Sequence, residues 1–341
     1  MTGQATIYAV AQRAGVSPST VSRAFHSPDL LRDETRDHVR EVARELGYVP
    51  NRAAGGLRSG RTSTLGLVVP DVANAFFASL VKAAQARARS ADYAVLLVDA
   101  EEDPRLEEQA IEAFAKQVDG AVVFAPRTTD ANLRRAASVT PLVLVNRPVG
   151  SIPSVVIDMM AGMREAVAHL QALGHRRCLY LSGPRESWSN RQRRTAFREA
   201  ARRLGLTASV LGPFQPHFEA GLHAADRVLA TNATAVIAYN DLLALGVLSR
   251  LAARGVAVPD EISVIGFDDI PTAAMTSPPL TTVAMPTAAA GRAAVDLLLA
   301  IVSGDAGTAA ADQDRLRADL RVRASTGPVP ASISARGQAS R

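Results

Sequence analysis

Two groups of residues in this 341-residue chain have types and spacing that could do chemistry. The first lies near the start. Ser19, Ser22 and Arg23 share one side of a short helical pattern. There, hydroxyls can bond base edges or phosphates, and a guanidinium can grip guanine through two parallel hydrogen bonds. The second group is spread along the chain, each member just after an apolar run: Asp71, Asn74 and Phe76-Phe77; Asn146-Arg147; Ser182-Gly183 and Trp188; Asn240-Asp241; Asp268-Asp269. Carboxylates and amides bond hydroxyls in pairs, and aromatic rings stack on the apolar face of a sugar, so these clusters suit a polyhydroxylated small molecule. The six histidines and the Asp pairs show no metal-ligand spacing, and neither a G-x-S-x-G elbow nor a phosphate-cradling glycine loop occurs. The expectation is a chain with no catalytic residue, metal or cofactor, and not an enzyme.

The elements that must position these groups follow from periodicity. Ile7, Val10, Ala11 and Ala14 fall at i, i+3, i+4 and i+7, Gly15 frees the helix end, and Ser17-Pro18 caps and opens a second helix. Val21, Ala24 and Phe25 give that helix a buried face and leave Pro18, Ser19, Ser22 and Arg23 outward. A third helix is expected with Asp33 as its cap, Val39, Val42, Ala43 and Leu46 inward, and Gly47 at its end. From residue 64 onward, short apolar runs alternate with helical stretches. Strands are expected at 65–69, 94–98, 120–124, 142–145, 155–158, 178–181, 235–239 and 263–267. Helices are expected at 77–89, 106–116, 162–173, 191–204, 219–229, 242–254 and 288–302. Near-continuous runs read as parallel strands buried on both faces, so the class is α/β with doubly wound sheets, which take ligands at the strands' carboxyl ends. Phe76 also fits core filling, Asp241 a cap for the helix from Leu242, and Asp269 a turn.

Composition bounds the rest. Nearly half the residues are apolar, enough for a sizeable core. The formal net charge is +5, and residues 1–61 hold nine Arg against six acidic residues, a density suited to phosphate. A single Cys178 excludes an internal disulfide and fits a reducing compartment. With neither a signal-peptide pattern nor a membrane-length apolar run, a cytoplasmic, nucleoid-associated protein with no membrane partner is expected.

The stretch from Ile7 to Leu57 resembles the DNA-binding headpiece of the lactose-repressor/galactose-repressor family. The matching residues are Val10-Ala11, Ala14-Gly15-Val16-Ser17, Thr20-Val21-Ser22-Arg23, Thr35-Arg36, Val39 and Leu46-Gly47-Tyr48-Val49-Pro50-Asn51. The resemblance implies that Pro18, Ser19 and Arg23 read bases in the major groove and that Tyr8, Ser17, Thr20, Ser22, Thr35 and Asn51 anchor the duplex. It also implies a hinge over 51–61 whose Leu57 wedges into the minor groove at the operator centre. His26 stands where many members carry Asn, and Gly55 where they usually carry Arg or another helix former; with Gly56 beside it in the hinge interior, this predicts a weak hinge helix.

The resemblance continues to Thr326 as a core similar to periplasmic sugar-binding proteins. It is carried by Leu65-Gly66-Leu67, Asn74-Ala75-Phe76-Phe77, Asp119-Gly120, Asn146-Arg147, Arg193, Ala196-Phe197, Asn240-Asp241, Gly266-Phe267-Asp268-Asp269 and Arg323-Ala324-Ser325-Thr326. It implies an effector cleft with Asn74, Phe76 and Phe77 on one side, Arg147 on a nearby loop, and Arg193, Asn240 and Asp268 on the other. Trp188 is the expected stacking ring, and Asp241 is a further expected effector contact. The implied domains are a headpiece over 1–50, the hinge, a core over 62–326 and a disordered tail over 327–341. Within the core, an N-subdomain takes 62–158 and 288–320 and a C-subdomain 159–287 and 321–326. The implied function is that of a repressor released from a palindromic double-stranded DNA operator by a small-molecule effector, by family precedent a carbohydrate, acting as a homodimer. The tail lacks the Leu heptads of a tetramerising coiled coil. Alternatives are a nucleoside- or purine-responsive or corepressor-dependent regulator and, more distantly, a sugar-binding protein without a regulatory role.

Overall fold

The structure is a computed structural model and describes residues 5–26, 30–48, 61–305 and 316–329. Asn51, Leu57 and the Gly55-Gly56 pair lie outside the described residues. The chain divides into two compact units, residues 1–63 and 64–341.

The first unit is a three-helix domain: α1 (Ile7–Ala14), α2 (Pro18–His26) and α3 (Asp33–Glu45). Thr6 caps α1 by accepting the Ala9 N–H at 3.3 Å, and Gly15 ends it at φ 64°, a left-handed turn that a residue with Cβ resists. Val10, Ala11, Ala14, Val21, Ala24, Val39, Val42 and Ala43 form the core. Two expectations at α3 need correction. Its cap position is Arg32, with no side-chain cap bond; Asp33 is the first helical residue and accepts from Arg36 at 2.8 Å. Leu46 is exposed, because the chain turns there and Tyr48 closes the core edge-on to Phe25, with ring centroids 6.0 Å apart.

The second unit holds two sheets. β1 (Thr64–Val69), β2 (Ala94–Asp99), β3 (Gly120–Phe124), β4 (Leu142–Val145) and β5 (Ser154–Val155) form one parallel sheet in the order β2-β1-β3-β4-β5. α4 (Ala75–Ser90), α5 (Pro104–Phe114) and α6 (Asp130–Ala137) connect them. The second sheet, β11-β10-β9-β8-β6-β7, contains β6 (Arg177–Leu181), β7 (Thr207–Leu211), β8 (Ala235–Ala238), β9 (Ser263–Asp268), β10 (Thr281–Ala284) and an antiparallel β11 (Asp319–Arg321). Its helices are α7 (Met159–Ala172), α8 (Trp188–Arg203), α9 (Phe218–Leu229) and α10 (Asp241–Ala253); α11 (Thr287–Ser303) returns to pack on α4 of the first sheet. Both sheets reverse strand order beside their first strand, the arrangement that opens a crevice at the carboxyl ends.

Several expected boundaries move. The strand expected at 155–158 is only Ser154–Val155, and α6, β7, β10 and β11 were not anticipated. β2 is not buried on both faces: Ala94, Leu96 and Leu97 are exposed on this edge strand. β11 joins the second sheet, so residues 319–320 belong with the C-subdomain. Residues 327–329 are bound rather than loose: the Val329 N–H donates to the Leu173 carbonyl at 2.9 Å, and the Gly327 carbonyl accepts from Ser263. His175, fully buried, bonds Thr234 at 2.9 Å and Ser263 at 3.0 Å, and burial lowers its pKa. Burial likewise pushes the Cys178 thiol up to about 11, away from reactivity.

α9 and α10 meet backbone to backbone at Gly221 and Gly246. A Cβ on Gly246 would overlap the Phe218 carbonyl oxygen, and one on Gly221 the Leu243 carbonyl. Neither obstacle is a flexible side chain. Gly246→Val is therefore expected to lower the melting temperature of the core by about 5–10 °C, from an overpacking cost of about 2–3 kcal/mol. An unchanged midpoint in a thermal melt would show that the helices part freely.

Candidate functional sites

On the three-helix unit, the start of α2 is organised by its own side chains. Ser17 Oγ accepts the Thr20 N–H at 3.1 Å and shares hydrogen bonds with the hydroxyls of Ser19 at 2.7 Å and Thr20 at 2.9 Å. Pro18 occupies the first helical position, where a missing N–H costs nothing. Ser17, Ser19 and Arg23 are exposed, Pro18, Thr20 and Ser22 half-buried, and Val21 and Ala24 anchor the opposite face in the core. Tyr8 on α1 is 72% exposed, and Thr35 on α3 is half-buried. The Arg40 Nε donates to the Ala24 carbonyl at 3.1 Å and ties α3 to the end of α2. A short helix is thus held with its polar face outward and its positive dipole end lined by hydroxyls, suited to a phosphate backbone.

In the larger unit, the carboxyl ends of both sheets face one cavity. From the first sheet, Asn74, Phe76 and Phe77 follow β1, Glu102 follows β2, Ala125 and Arg127 follow β3, and Asn146 follows β4. From the second, Ser189 and Arg193 lie on α8, Pro216 precedes α9, Tyr239 and Asn240 follow β8, and Asp268 ends β9. Six of the expected effector residues come together here: Asn74, Phe76, Phe77, Arg193, Asn240 and Asp268.

Each is held by local chemistry. Asn74 caps α4 through the Phe76 N–H at 3.0 Å, and Phe76 and Phe77 pack edge to face at 5.0 Å. Asn240 caps α10 through the Leu243 N–H at 3.0 Å and donates to the Pro216 carbonyl at 2.8 Å. Arg193 lies 3.7 Å above the Phe267 ring and 5.0 Å from the Tyr239 ring, donates to the Tyr239 carbonyl and pairs with Asp268 at 3.2 Å. Its Nε is buried without a hydrogen-bond partner, the sole such side-chain atom among the described residues. A buried donor left unpaired costs about 1–3 kcal/mol, so this atom favours an incoming acceptor. Asp268 itself adopts φ 121°, a strained backbone for a residue with Cβ, of the kind that clusters at ligand sites.

Burial pushes the Asp268 carboxyl up to about 8, with the Asp241 carboxylate adding to the rise and Arg193 opposing it. In the unfolded chain the group titrates near 3.8. Between those values the folded state holds a proton that the unfolded state lacks, so stability falls as pH rises through that window and levels off above about 8. Asp268→Asn is expected to flatten the decline in urea midpoint between about pH 5 and about pH 8. A decline of wild-type size in the variant would assign it to other groups.

Three expected effector residues are placed elsewhere. Arg147 does not line the cavity: its guanidinium donates to the carbonyls of Pro126 at 2.9 Å and Thr128 at 2.6 Å and to Asp130 at 2.7 Å, tying loops together. Trp188 opens α8, half-buried against the core and outside the cavity lining. Asp241 is fully buried. It accepts the Thr282 hydroxyl at 2.5 Å and the Ile270 N–H at 2.9 Å, and burial raises its carboxyl to about 6. A Cβ on Gly266 would strike its Oδ1, so this carboxylate is packed into the sheet. The cap of α10 is Asn240, not Asp241.

The main feature not anticipated is the pair Arg127–Glu102, bidentate at 2.6 and 2.9 Å, on the wall opposite Arg193. Arg127 and Glu102 each lie three residues past the end of a strand, β3 and β2, so the rule of carboxyl ends could have found both; Glu102 also adopts φ 56°. The cavity leaves about 20 Å³ for a water's centre, room for one water. A sugar-sized ligand therefore requires the two walls to part. Among the described residues no cluster of His, Cys, Asp and Glu is arranged to hold a metal, and no helix is long and apolar enough to cross a membrane.

A helix-turn-helix unit on the same chain as a two-sheet crevice lined by hydroxyl-binding groups defines a DNA-binding regulator that responds to a small ligand. Comparison with known proteins agrees. Residues 6–51 match the bacterial regulatory proteins of the lacI family, and residues 167–326 match the periplasmic binding protein-like domain. The chain is 34% identical over 310 residues to the HTH-type transcriptional repressor CytR of Escherichia coli (strain K12), covering 88% of this chain and 90% of that one. It is 38% identical over 311 residues to the HTH-type transcriptional regulator GalS of Salmonella typhimurium, covering 89% and 91%. A lac repressor dimer bound to operator and the anti-inducer ONPF superposes with a TM-score of 0.81 at 26% identity, covering 95% of this chain and 100% of that one. The chain belongs to the lacI family of bacterial regulatory proteins and is a ligand-responsive, sequence-specific DNA-binding transcription regulator.

Proposed function

We propose that this regulator is a repressor that binds a palindromic operator as a homodimer and is released when a sugar or related polyhydroxylated molecule occupies the cleft between its two sheets. The observation that carries the effector class is the set of groups around that cleft: three amides, two arginines each paired with an acidic side chain, and the Phe76-Phe77 rings, with the Arg193 Nε awaiting an acceptor. Paired donors and acceptors beside rings match vicinal hydroxyls on a ring with an apolar face.

Base reading belongs to Pro18, Ser19 and Arg23, and duplex anchoring to Tyr8, Ser17, Thr20, Ser22, Thr35 and Asn51, with Leu57 as the minor-groove wedge. The exposed β2 edge, with Leu96 and Leu97, and the exposed Met275 of the other sheet's region give apolar surface for a second copy. Effector binding parts the walls, changes the spacing of the two hinges and weakens operator binding; by linkage, operator weakens effector binding by the same factor. With DNA as its partner, the protein works in the cytoplasm, at the nucleoid, and performs no catalysis.

The test is a thermal-shift panel of monosaccharides, glycosides, sugar acids and nucleosides on full-length protein, followed by operator release with each hit. A carbohydrate that raises the melting temperature and releases DNA supports the reading. A nucleoside hit alone, or a ligand that tightens DNA binding, overturns the effector class or the sign of the response.

A further inference from the structure

A second cavity lies away from the cleft, on the outer flank of the first sheet between α5 and α6. About 200 Å³ of it is open to a water's centre. A dry cavity of about 150 Å³ is enough to hold benzene, so this one accommodates a single ring with a short arm. Its floor is apolar, formed by Ile111, Ala115 and Ala136, and Val139, 68% exposed, adds an apolar side chain at its mouth. Its rim is charged. Glu108 and Glu112, one turn apart on α5, both reach the single guanidinium of Arg135, which bonds Glu112 at 3.0 Å and Glu108 more closely. Two carboxylates share one cation, and the rim carries an excess negative charge. All three side chains are partly or largely solvated, so the arrangement can be rearranged at low cost.

We propose that this groove is a second small-molecule site, taking an organic ammonium ion with an aryl or short alkyl body, and that its occupancy is felt in the effector cleft. The body fills the apolar floor. The ammonium, a compact charge with three donors, takes the carboxylate oxygens that one guanidinium leaves undersupplied. An anionic ligand of the same shape meets two carboxylates and is rejected.

The route to the cleft is one of direct contact. Thr128 lines the groove, and its hydroxyl accepts from Asn132 at 3.1 Å. The neighbouring N–H groups of Arg127 and Thr128 both donate to the buried Glu107 carboxylate, at 2.8 and 3.0 Å. The Arg127 side chain lines the cleft. A ligand wedged between α5 and α6 therefore bears on the loop that carries Arg127.

The test titrates full-length protein with phenethylamine, benzyl alcohol and phenylacetate, followed by ligand-observed NMR, and needs neither operator nor effector. Its failure is thus separable from failure of the repressor reading. Phenethylamine is expected to bind at least about fivefold tighter than either analogue, with Glu112→Gln weakening it about threefold. Ala136→Phe, which fills the groove, is expected to cost more than about tenfold. Should Ala136→Phe fail to fold, the exposed Glu112→Gln variant still decides the site. Hydrogen exchange at residues 126–130 is expected to slow on adding phenethylamine. No binding, equal binding of phenylacetate, or wild-type binding in the variants overturns the site; amine binding without a change at 126–130 overturns the coupling.

Discussion

Replacing Arg23 with Ala is expected to lower operator affinity by about 30-fold or more while leaving core stability and effector affinity at wild-type values. The side chain is exposed on α2, with Val21 and Ala24 holding the opposite face of the helix in the core, so its removal does not disturb the three-helix fold. A bidentate contact from Arg to guanine is worth about 1–3 kcal/mol. A twofold dimer on a palindrome makes that contact twice, which doubles the loss to about 2–6 kcal/mol and sets the lower bound near 30-fold. Anisotropy titration of operator at fixed salt measures it, and the salt slope separates base reading from phosphate contact. A matching loss of effector affinity would mean that the headpiece and cleft are not divided as argued.

Replacing Arg193 with Leu is expected to have the converse effect. Operator affinity without effector stays unchanged, and effector affinity falls by about 10- to 150-fold, the roughly 1.5–3 kcal/mol contributed by a hydrogen bond from a charged donor. Arg193 supplies the one buried donor without a partner in the cleft and is stacked over Phe267, so it is already oriented for an acceptor. The fold should survive, because Asp268, pushed up to about 8, can stay protonated when its partner is gone. Arg193→Lys keeps the charge but not the planar fork and is expected to recover little. Operator release at wild-type effector concentration in the Leu variant would remove Arg193 from the effector contacts.

Much of this architecture was legible in the sequence because burial writes a pattern. Strands such as β3 and β8 are buried along their whole length and read as unbroken apolar runs. β7 alternates exposed and half-buried positions at a sheet edge, and β10 opens with the buried hydroxyls of Thr281 and Thr282, so neither produced such a run. The cleft was legible as a set of strand ends but not as a set of side-chain directions. Arg127 and Arg147 both follow strands of the first sheet and both are buried, yet one lines the cleft and the other is consumed by loop carbonyls. Asp241 and Asp268 differ in the same way. The carboxylate of Asp241 is satisfied by Thr282 and Ile270, partners far away in sequence, whereas that of Asp268 meets Arg193 at the cavity. Which of two similar groups faces a ligand depends on contacts that no local pattern records.

Reading of a two-fold DNA site by the two headpieces of one dimer is the step on which operator binding and its release by effector both depend. The most direct measurement is selection of randomised duplexes by full-length protein at moderate salt, run in parallel with the Arg23→Ala variant. The wild type is expected to enrich a palindrome with a flexible central step, and the variant to lose it. Enrichment of a non-palindromic site, or of the same palindrome by both proteins, would contradict the account.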